Sequence, residues 1–243
     1  LLIGGPLRSR EGGRRPSFDL VLVNGLGQFT INYAIVYWAQ QTLPSGLVAI
    51  LWAVFPLMVA ALAHWMLPGE RVTLRQWVGF CVAFVGVAIL FSTDVAAISV
   101  DAVPTGLVVL IAPAIVAFVT IYLKRHGREV SSILLARDSM GLGAVLLWSF
   151  ALVTERDVPV VWSASAIGAI CYLALIGSCL TFGVYLWLLR WVEAYKLSLI
   201  SYVAPMIALL VGGLVDDEPI RTSTIVGSGV ILLGVAAASK RRR

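Results

Sequence analysis

Long apolar runs separated by short polar connections make up most of this chain. A helix needs about 20 mostly apolar residues to cross the hydrocarbon core of a bilayer. Eight windows meet this requirement, at residues 20–38, 44–66, 75–93, 104–123, 131–153, 165–188, 196–215 and 222–239. The pattern therefore predicts eight transmembrane helices. The longest window, 165–188, has room to tilt, and the weakest, 131–153, carries Arg137 and Asp138 near its start.

Composition agrees with the pattern, because 60% of the 243 residues are apolar and only 13% are charged. Soluble domains average about 45–50% apolar and about 25% charged residues. The low charge argues against a disordered chain, and three Cys are too few for a disulfide scaffold. No segment near the N-terminus has the features of a signal peptide. We predict an all-α polytopic membrane protein that has the lipid bilayer as a partner.

Basic residues are distributed unevenly between alternate connections. One set of connections, together with both chain ends, holds 15 of the 18 Lys and Arg residues, whereas the opposite set holds only Arg156 and Arg221. Cytoplasmic loops carry an excess of Lys and Arg. Both chain ends are therefore predicted to be cytoplasmic, with residues 240–243 as a basic tail. The net charge of +5 then reflects topology, and we expect no nucleic-acid partner.

A weak internal repeat relates the first part of the chain to the last. At offsets of 148 or 149 residues, the matches are Tyr33 with Phe182, Trp38 with Trp187, Pro56 with Pro205, Glu70 with Glu218, Gly79 with Gly227, Gly86 with Gly234 and Val87 with Val235. The period spans five helices, which is an odd number, so the two copies would be inserted in opposite orientations. Inverted repeats of this kind are common in secondary transporters. The four repeated glycines suit close helix packing and are given no functional weight.

The same arithmetic predicts more helices than the eight windows. The second copy begins near Pro104, and the helix at 131–153 maps onto positions −17 to 5. We therefore expect a ten-helix protein of two five-helix inverted repeats, of which this chain lacks the first helix and most of the second. Residues 1–95 would hold the end of helix 2 and helices 3 to 5, and residues 104–239 would hold helices 6 to 10.

The repeated motifs resemble those of the drug/metabolite transporter superfamily, specifically the EamA-domain type. Pro56 lies in a proline-containing helix, residues 67–71 form a short Leu-Pro-Gly-Glu-Arg loop, and a glycine-spaced helix follows. The second copy is similar around Pro205 and Glu218. Arg137, at the start of a long apolar helix, resembles the Arg in the second helix of each half of the family. The resemblance implies a membrane transporter of small molecules.

Uncharged polar and aromatic side chains inside the predicted spans are the candidates for a substrate cavity, because polar groups are costly in a bilayer. Asn24, Gln28 and Asn32 recur four residues apart, which predicts one helix face. The cavity candidates are Asn24, Gln28, Asn32, Tyr33, Tyr37, Trp52, Ser178, Thr181, Tyr185, Ser198, Ser201 and Tyr202. The alternative is hydrogen bonding between packed helices. We favour the cavity for the three amides and helix packing for the Ser and Thr side chains.

Two prolines and five charged or titratable residues complete the candidate chemistry. Pro56 and Pro205 each remove a backbone donor, so they are predicted to bend their helices as hinges for alternating access or as static kinks. Arg137 and Asp138 are candidates for a coupling site, with snorkelling of Arg137 to the lipid headgroups as the alternative. His64 is interpreted as interfacial. Glu70 and Glu218 are expected to stabilise the N-terminus of the helix that follows each of them.

These features predict a secondary transporter that moves small metabolites, such as amino acids or amines, by alternating access. The sequence has no phosphate-binding loop or metal-ligand spacing, so we predict no enzyme, no cofactor and no metal site. A non-transporting membrane scaffold or assembly protein is the alternative. We expect a multi-pass protein of a bacterial inner membrane. Its partner would be a small-molecule substrate, and the oligomeric state stays open, with a homodimer as one option.

Overall fold

A computed structural model describes residues 13–92, 102–155, 162–215 and 222–239 of the chain. These residues form eight long helices, namely α1 Phe18–Ala39, α2 Ser45–Met66, α3 Leu74–Leu90, α4 Ala102–His126, α5 Ser132–Thr154, α6 Ala164–Trp191, α7 Ile200–Val215 and α8 Thr222–Ser239. A short helix, Ala194–Ser198, leads into α7. The described ranges contain no β-strand, and their one isolated bridge joins Arg14 to Val130. The predicted all-α class is confirmed.

Six of these helices, α1, α2, α4, α5, α6 and α8, are long and apolar enough to cross a membrane. The other two are shorter, with 17 residues in α3 and 16 in α7. At about 1.5 Å per residue, such helices reach about 25 Å, a little less than the hydrocarbon core. The chain is therefore a multi-pass membrane protein, while the full number of ten helices remains a prediction.

The described chain divides into two compact units. The first comprises residues up to Ile31 together with Tyr122–Val192, and the second comprises Asn32–Ile121 together with the residues from Glu193 onward. In the first unit, the beginning of α1 packs closely on α5. A Cβ atom on Gly143 would lie 2.5 Å from the Cβ atom of Phe29. Only glycine leaves room for this approach.

The second unit contains the closest helix pair, formed by α3 and α8. A Cβ atom on Gly79 would lie 2.7 Å from the carbonyl oxygen of Gly234, and one on Gly86 would lie 3.0 Å from that of Gly227. The start of α3 therefore meets the end of α8, so the two helices run antiparallel. The prediction that these glycines suit close packing is confirmed, because the two backbones are in direct contact here.

The contacts at this crossing are symmetric with respect to the sequence repeat: replacing each residue by its equivalent in the other copy gives another observed contact. Two pairs of contacts map onto each other, Gly79–Ala238 onto Gly227–Leu90 and Gly86–Ile231 onto Gly234–Ala83. Equivalent positions in sequence thus have equivalent neighbours in space. A two-fold relation between antiparallel helices produces this arrangement, and it is the local geometry that an inverted repeat requires.

Both α1 and α6 contain a wide π-helical segment that the sequence did not predict. The segments are Gly25–Ile31 and Leu173–Leu180, and the offset of 149 residues places them at equivalent positions. Thr30, in the first segment, and Thr181, directly after the second, each donate a hydroxyl hydrogen bond to the carbonyl oxygen five residues earlier, over 2.9 Å and 2.8 Å. π-Helical turns are rare and occur frequently at functional sites.

The loop between α2 and α3 corrects one expectation about Glu70. The N-terminus of α3 is capped by Thr73 and Gln76, which form a reciprocal capping box. The buried Glu70 carboxylate instead accepts a hydrogen bond of 2.8 Å from the backbone N–H of Ala194. It therefore stabilises the first turn of the short helix before α7, at a distance of 124 residues along the chain. Glu218 lies outside the described residues.

Glu70→Ala is expected to lower the free energy of unfolding by about 1–2 kcal/mol, because it removes a buried anionic cap from a helix N-terminus. Glu129→Ala is the matched control, since Glu129 forms an ion pair with Arg14 in which both side chains are mostly exposed. Exposed pairs contribute little. Thermal unfolding in detergent measures both variants, and equal losses would contradict the assigned role of Glu70.

Candidate substrate cavity

A cavity of about 510 Å³ lies in the second unit, between α2 and α7. Its wall is formed by Ser45, Gly46, Ala49, Trp52, Ala53, Phe91, Ser201, Ala204 and Pro205. Cavities of about 300–1,000 Å³ hold drug-sized ligands. The two helices that flank it are the proline helices of the sequence repeat. Trp52 and Ser201, which face this space from either side, occupy equivalent positions 149 residues apart.

The two prolines affect their helices differently. Pro205 lies inside α7 and forms part of the cavity wall. Helix α2 is interrupted at residues 53–54, and Pro56 occupies the first turn of the segment that follows. A proline is tolerated in a first turn, because the N–H that it lacks has no partner there. The backbone departs from regular α-helix next to the cavity, as the sequence suggests for Pro56.

Small and aromatic side chains dominate the cavity wall. The Trp52 ring is half-buried and lies against Phe55, with 5.4 Å between the ring centroids. Ser45 and Ser201 supply hydroxyl groups, and no charged side chain lies among the described residues of the wall. This surface can bind a mostly apolar molecule and can form a small number of hydrogen bonds with its polar groups.

Helix α7 and the short helix before it place only part of their predicted polar set on the cavity. Ser201 and Pro205 line it, whereas Ser198 and Tyr202 are buried elsewhere. The Ser198 hydroxyl donates to the carbonyl oxygen of Tyr195 over 2.8 Å, and the Tyr202 hydroxyl donates to that of Phe80 over 3.3 Å. Tyr202 follows Ser201 by one residue, a rotation of about 100° around the helix axis. It therefore faces α3 rather than the cavity.

The aromatic candidates at the end of α1 lie apart from the cavity wall. Tyr33 and Tyr37 stack on each other at 5.7 Å, and the Tyr37 ring is largely exposed. Asn32, the residue before Tyr33, is buried. None of the three is among the residues that line the space between α2 and α7.

The remaining cavity candidates belong to the first unit. Asn24 is only 2% exposed, and its amide nitrogen has no hydrogen-bond partner in the part of the chain that the structure describes. The Ser139 hydroxyl of α5 is also buried and has no hydrogen-bond partner among the described residues. Gln28, Ser178 and Tyr185 are half-buried. Buried polar groups without partners are uncommon. Asn24 and Ser139 are therefore two unsatisfied polar groups in the interior of this unit.

Arg137 and Asp138 pair with each other near the start of α5. The Arg137 Nη2 and Asp138 Oδ1 atoms are 2.6 Å apart, and the two side chains are 44% and 34% exposed. His64 has a local role too, because its Nδ1 atom accepts a 3.1 Å hydrogen bond from the backbone N–H of Val72. Within the described ranges, no three His, Cys, Asp or Glu side chains gather as metal ligands would.

The model of the EamA-like transporter family matches residues 2–92 and 104–240 of this chain. The chain belongs to the EamA-like transporter family. This membership agrees with the resemblance read from the proline helices and the glycine-spaced helices. It makes the protein a member of the drug/metabolite transporter type.

Several curated relatives of this EamA-like protein carry transporter names. It is 25% identical over 214 residues to the uncharacterized transporter YoaV of Bacillus subtilis, covering 88% of this chain and 72% of the relative. It is 26% identical over 226 residues to an uncharacterized transporter of Archaeoglobus fulgidus, covering 92% and 79%. The uncharacterized inner membrane transporter YedA of Escherichia coli is 26% identical over 222 residues, covering 91% and 70%.

The fold of this EamA-like chain also occurs among solved structures. One crystal structure superposes with a TM-score of 0.79 at 19% sequence identity, covering 93% of this chain and 77% of the other. At that identity the likeness concerns the fold alone.

Much of the cavity wall of this EamA-like protein consists of residues that sequence analysis did not select. Gly46, Ala49, Ala53 and Ala204 carry no functional group, so composition and motif give no signal for them. The repeat gives a signal for part of the wall, because it maps Ser198, Ser201 and Tyr202 onto Ala49, Trp52 and Ala53 of α2. Repeat equivalence holds for Trp52 and Ser201, which both line the wall. It fails for Ala49 and Ala53, because their equivalents, Ser198 and Tyr202, lie outside the wall.

Proposed function

We propose that this protein is a secondary transporter that moves small metabolites across a bacterial inner membrane by alternating access between two inverted five-helix halves. The observation that carries the proposal is the cavity of about 510 Å³ between α2 and α7. These helices are equivalent in the repeat, as expected for a central site shared by two halves. Membership in a transporter family supports the same function.

Two features support the inverted halves. The contacts between α3 and α8 are unchanged by exchange of the repeats, and the π-helical segments of α1 and α6 occupy equivalent positions. The first half would include residues 1–95 and the second half residues 104–239. With both ends and the 240–243 tail in the cytoplasm, the basic connections would follow the positive-inside rule.

The hinge and polar candidates take specific places in this proposal. Pro56 and Pro205 would let α2 and α7 bend beside the cavity during alternating access. The amides of α1 and the hydroxyl groups of α6 would line the path at other stages of transport. Their π-helical segments favour this, because a wide turn leaves backbone carbonyls with irregular bonding.

The proposal is tested by filling the cavity. Ala49→Phe adds a ring to the wall and is expected to lower solute exchange at least tenfold. Ala144→Phe is the control, because Ala144 lies exposed on α5 in the other unit. The full-length protein is reconstituted in liposomes, and counterflow of a broad panel of radiolabelled metabolites is measured. If no solute exchanges, the transporter proposal fails and a non-transporting scaffold is the better description.

Asp138 is the carboxylate that we propose for proton coupling. Protonation would remove its negative charge and weaken its ion pair with Arg137, so proton binding could change the local structure. Asp138→Asn cannot be protonated, so in a proton-coupled exchanger it is expected to abolish the pH dependence of exchange while exchange at fixed pH persists. Asp19→Asn is the control, because Asp19 is exposed and accepts a hydrogen bond from Tyr122. Unchanged pH dependence in Asp138→Asn would remove this pair from the coupling mechanism.

A further inference from the structure

We infer that the cavity between α2 and α7 selects an uncharged, flat and mostly apolar solute that carries one or two hydrogen-bonding groups. This inference rests on the proposed transport function and specifies its substrate class. It differs from an expectation of amino acids or amines, which carry at least one charge at neutral pH. Three properties of the wall support it, namely its charge, its shape and its few polar groups.

Charge is the first property. None of the nine described wall residues has an ionisable acidic or basic side chain. A charged group that leaves water for such a surface loses its hydration and gains no counter-ion, which is strongly unfavourable. Within the described residues, no ion pair involves a residue of this wall. The wall therefore disfavours carboxylates and ammonium groups relative to neutral analogues of the same size.

Shape is the second property. The large side chains of the wall, Trp52 and Phe91, are both aromatic, whereas Gly46, Ala49, Ala53 and Ala204 present almost no side-chain bulk. Aromatic rings bind best in offset-stacked or edge-to-face geometry with other rings. A planar solute can contact the Trp52 ring of α2 on one face and Ala204 and Pro205 of α7 on the other. The volume of about 510 Å³ suits a solute of drug size.

The polar groups are the third property. Ser45 and Ser201 provide the hydroxyl groups of the wall, one on each of the two flanking helices. Ser201 is the repeat equivalent of Trp52, so one half offers a ring and the other a hydroxyl at the same position. A bound solute can thus stack on α2 while it exchanges a hydrogen bond with α7. Trp52 and Ser201 are the residues that we assign to specificity.

Four indole compounds of similar size separate charge from shape. N-acetyltryptophanamide is uncharged, tryptamine is a cation, N-acetyltryptophan is an anion and tryptophan is a zwitterion. Binding to the purified full-length protein is measured by titration calorimetry, and exchange is measured by counterflow in liposomes. We expect the uncharged amide to bind at least tenfold more tightly than each of the three charged compounds.

Variants assign the preference to the wall. Trp52→Ala is expected to weaken binding of the amide at least tenfold, whereas Trp52→Phe keeps a ring and retains most of the affinity. Trp65→Ala is the matched control, because Trp65 lies on the same helix with 78% of its surface exposed. Ser201→Ala is expected to weaken binding about fivefold, the usual contribution of one hydrogen bond. Thermal unfolding confirms that each variant is folded.

The outcomes separate this inference from the proposed function. A preference for any charged analogue, or equal losses in Trp52→Ala and Trp65→Ala, overturns the inference while transport itself stands. Failure of all four compounds to bind, in a protein that exchanges other solutes, also overturns it. A protein that exchanges no solute in the broad panel refutes the transport function on which the inference rests.

Discussion

Gly234→Ala is expected to lower the free energy of unfolding by about 2 kcal/mol or more, because the added methyl group has no space. Its Cβ atom would lie 2.4 Å from the backbone nitrogen of Ala83 and 2.7 Å from the carbonyl oxygen of Gly79. Both atoms belong to the backbone of α3, so only a shift of the whole helix relieves the clash. Overpacking of this kind costs about 1–3 kcal/mol, and more where the surroundings cannot move.

The same helix offers a control with the opposite sign. Nothing lies within 4 Å of a Cβ atom built on Gly229. Gly229→Ala is therefore expected to be neutral or to gain up to about 1 kcal/mol from the better helix propensity of alanine. Unfolding in mixed detergent micelles, followed by circular dichroism, measures both variants. Similar losses in the two would show that α3 and α8 do not meet at Gly234.

Exchange of the repeats adds a quantitative comparison. Gly79 and Gly227 are equivalent, and a Cβ atom on either would lie 2.5 Å or 2.8 Å, respectively, from a backbone nitrogen of the other helix. Gly79→Ala and Gly227→Ala are therefore expected to destabilise the protein by similar amounts. A large loss in one and none in the other would contradict the two-fold relation at this crossing.

Lys124→Met is expected to have the second large effect, a loss of about 2–4 kcal/mol in the free energy of unfolding. Lys124 is only 5% exposed, and its ammonium group donates to the carbonyl oxygens of Leu189 and Val192, each over 2.7 Å. These carbonyls lie at the C-terminal end of α6, where a positive charge is favourable. Methionine fills a similar volume but leaves both acceptors without this donor.

The neighbouring Arg125 gives the control for Lys124. Its side chain is exposed in the same helical turn, so Arg125→Met removes an equal charge without uncovering a buried carbonyl. We expect a change within about 0.5 kcal/mol, as for most surface substitutions. Thermal unfolding in detergent compares the two variants. A loss in Arg125→Met as large as that in Lys124→Met would assign the effect to net charge instead of to the capped end of α6.

The helices themselves were largely predictable, because apolar runs of the required length are a strong and local signal. The end of α4 was not. The sequence placed Lys124 in a cytoplasmic connection, whereas the helix continues to His126 and buries the lysine. Its partners lie 65 and 68 residues further along the chain. Charge patterning indicates a side of the membrane, but it contains no information about such distant partners.

The candidate site was predictable only in part, and the periodicity of α1 shows why. One face was predicted for Asn24, Gln28 and Asn32 from a regular helix with 3.6 residues per turn. The π-helical segment Gly25–Ile31 widens the turn between them, so the regular spacing no longer fixes their directions. No residue type marks a π-helix in sequence. Trp52 and Ser201 were selected from the sequence as an aromatic and a hydroxyl side chain inside predicted spans, and both line the cavity.

The crossing of α3 and α8 also bears on how such a molecule would change conformation. In a transporter made of two inverted halves, the inward-open and outward-open states differ by a swap of conformations between the halves. Contacts that map onto themselves under this swap have the same geometry in both states. The α3–α8 pair satisfies this condition at its four glycines. If the proposed alternating access operates, this pair would keep the same geometry in both states, and the conformational change would take place in other helices.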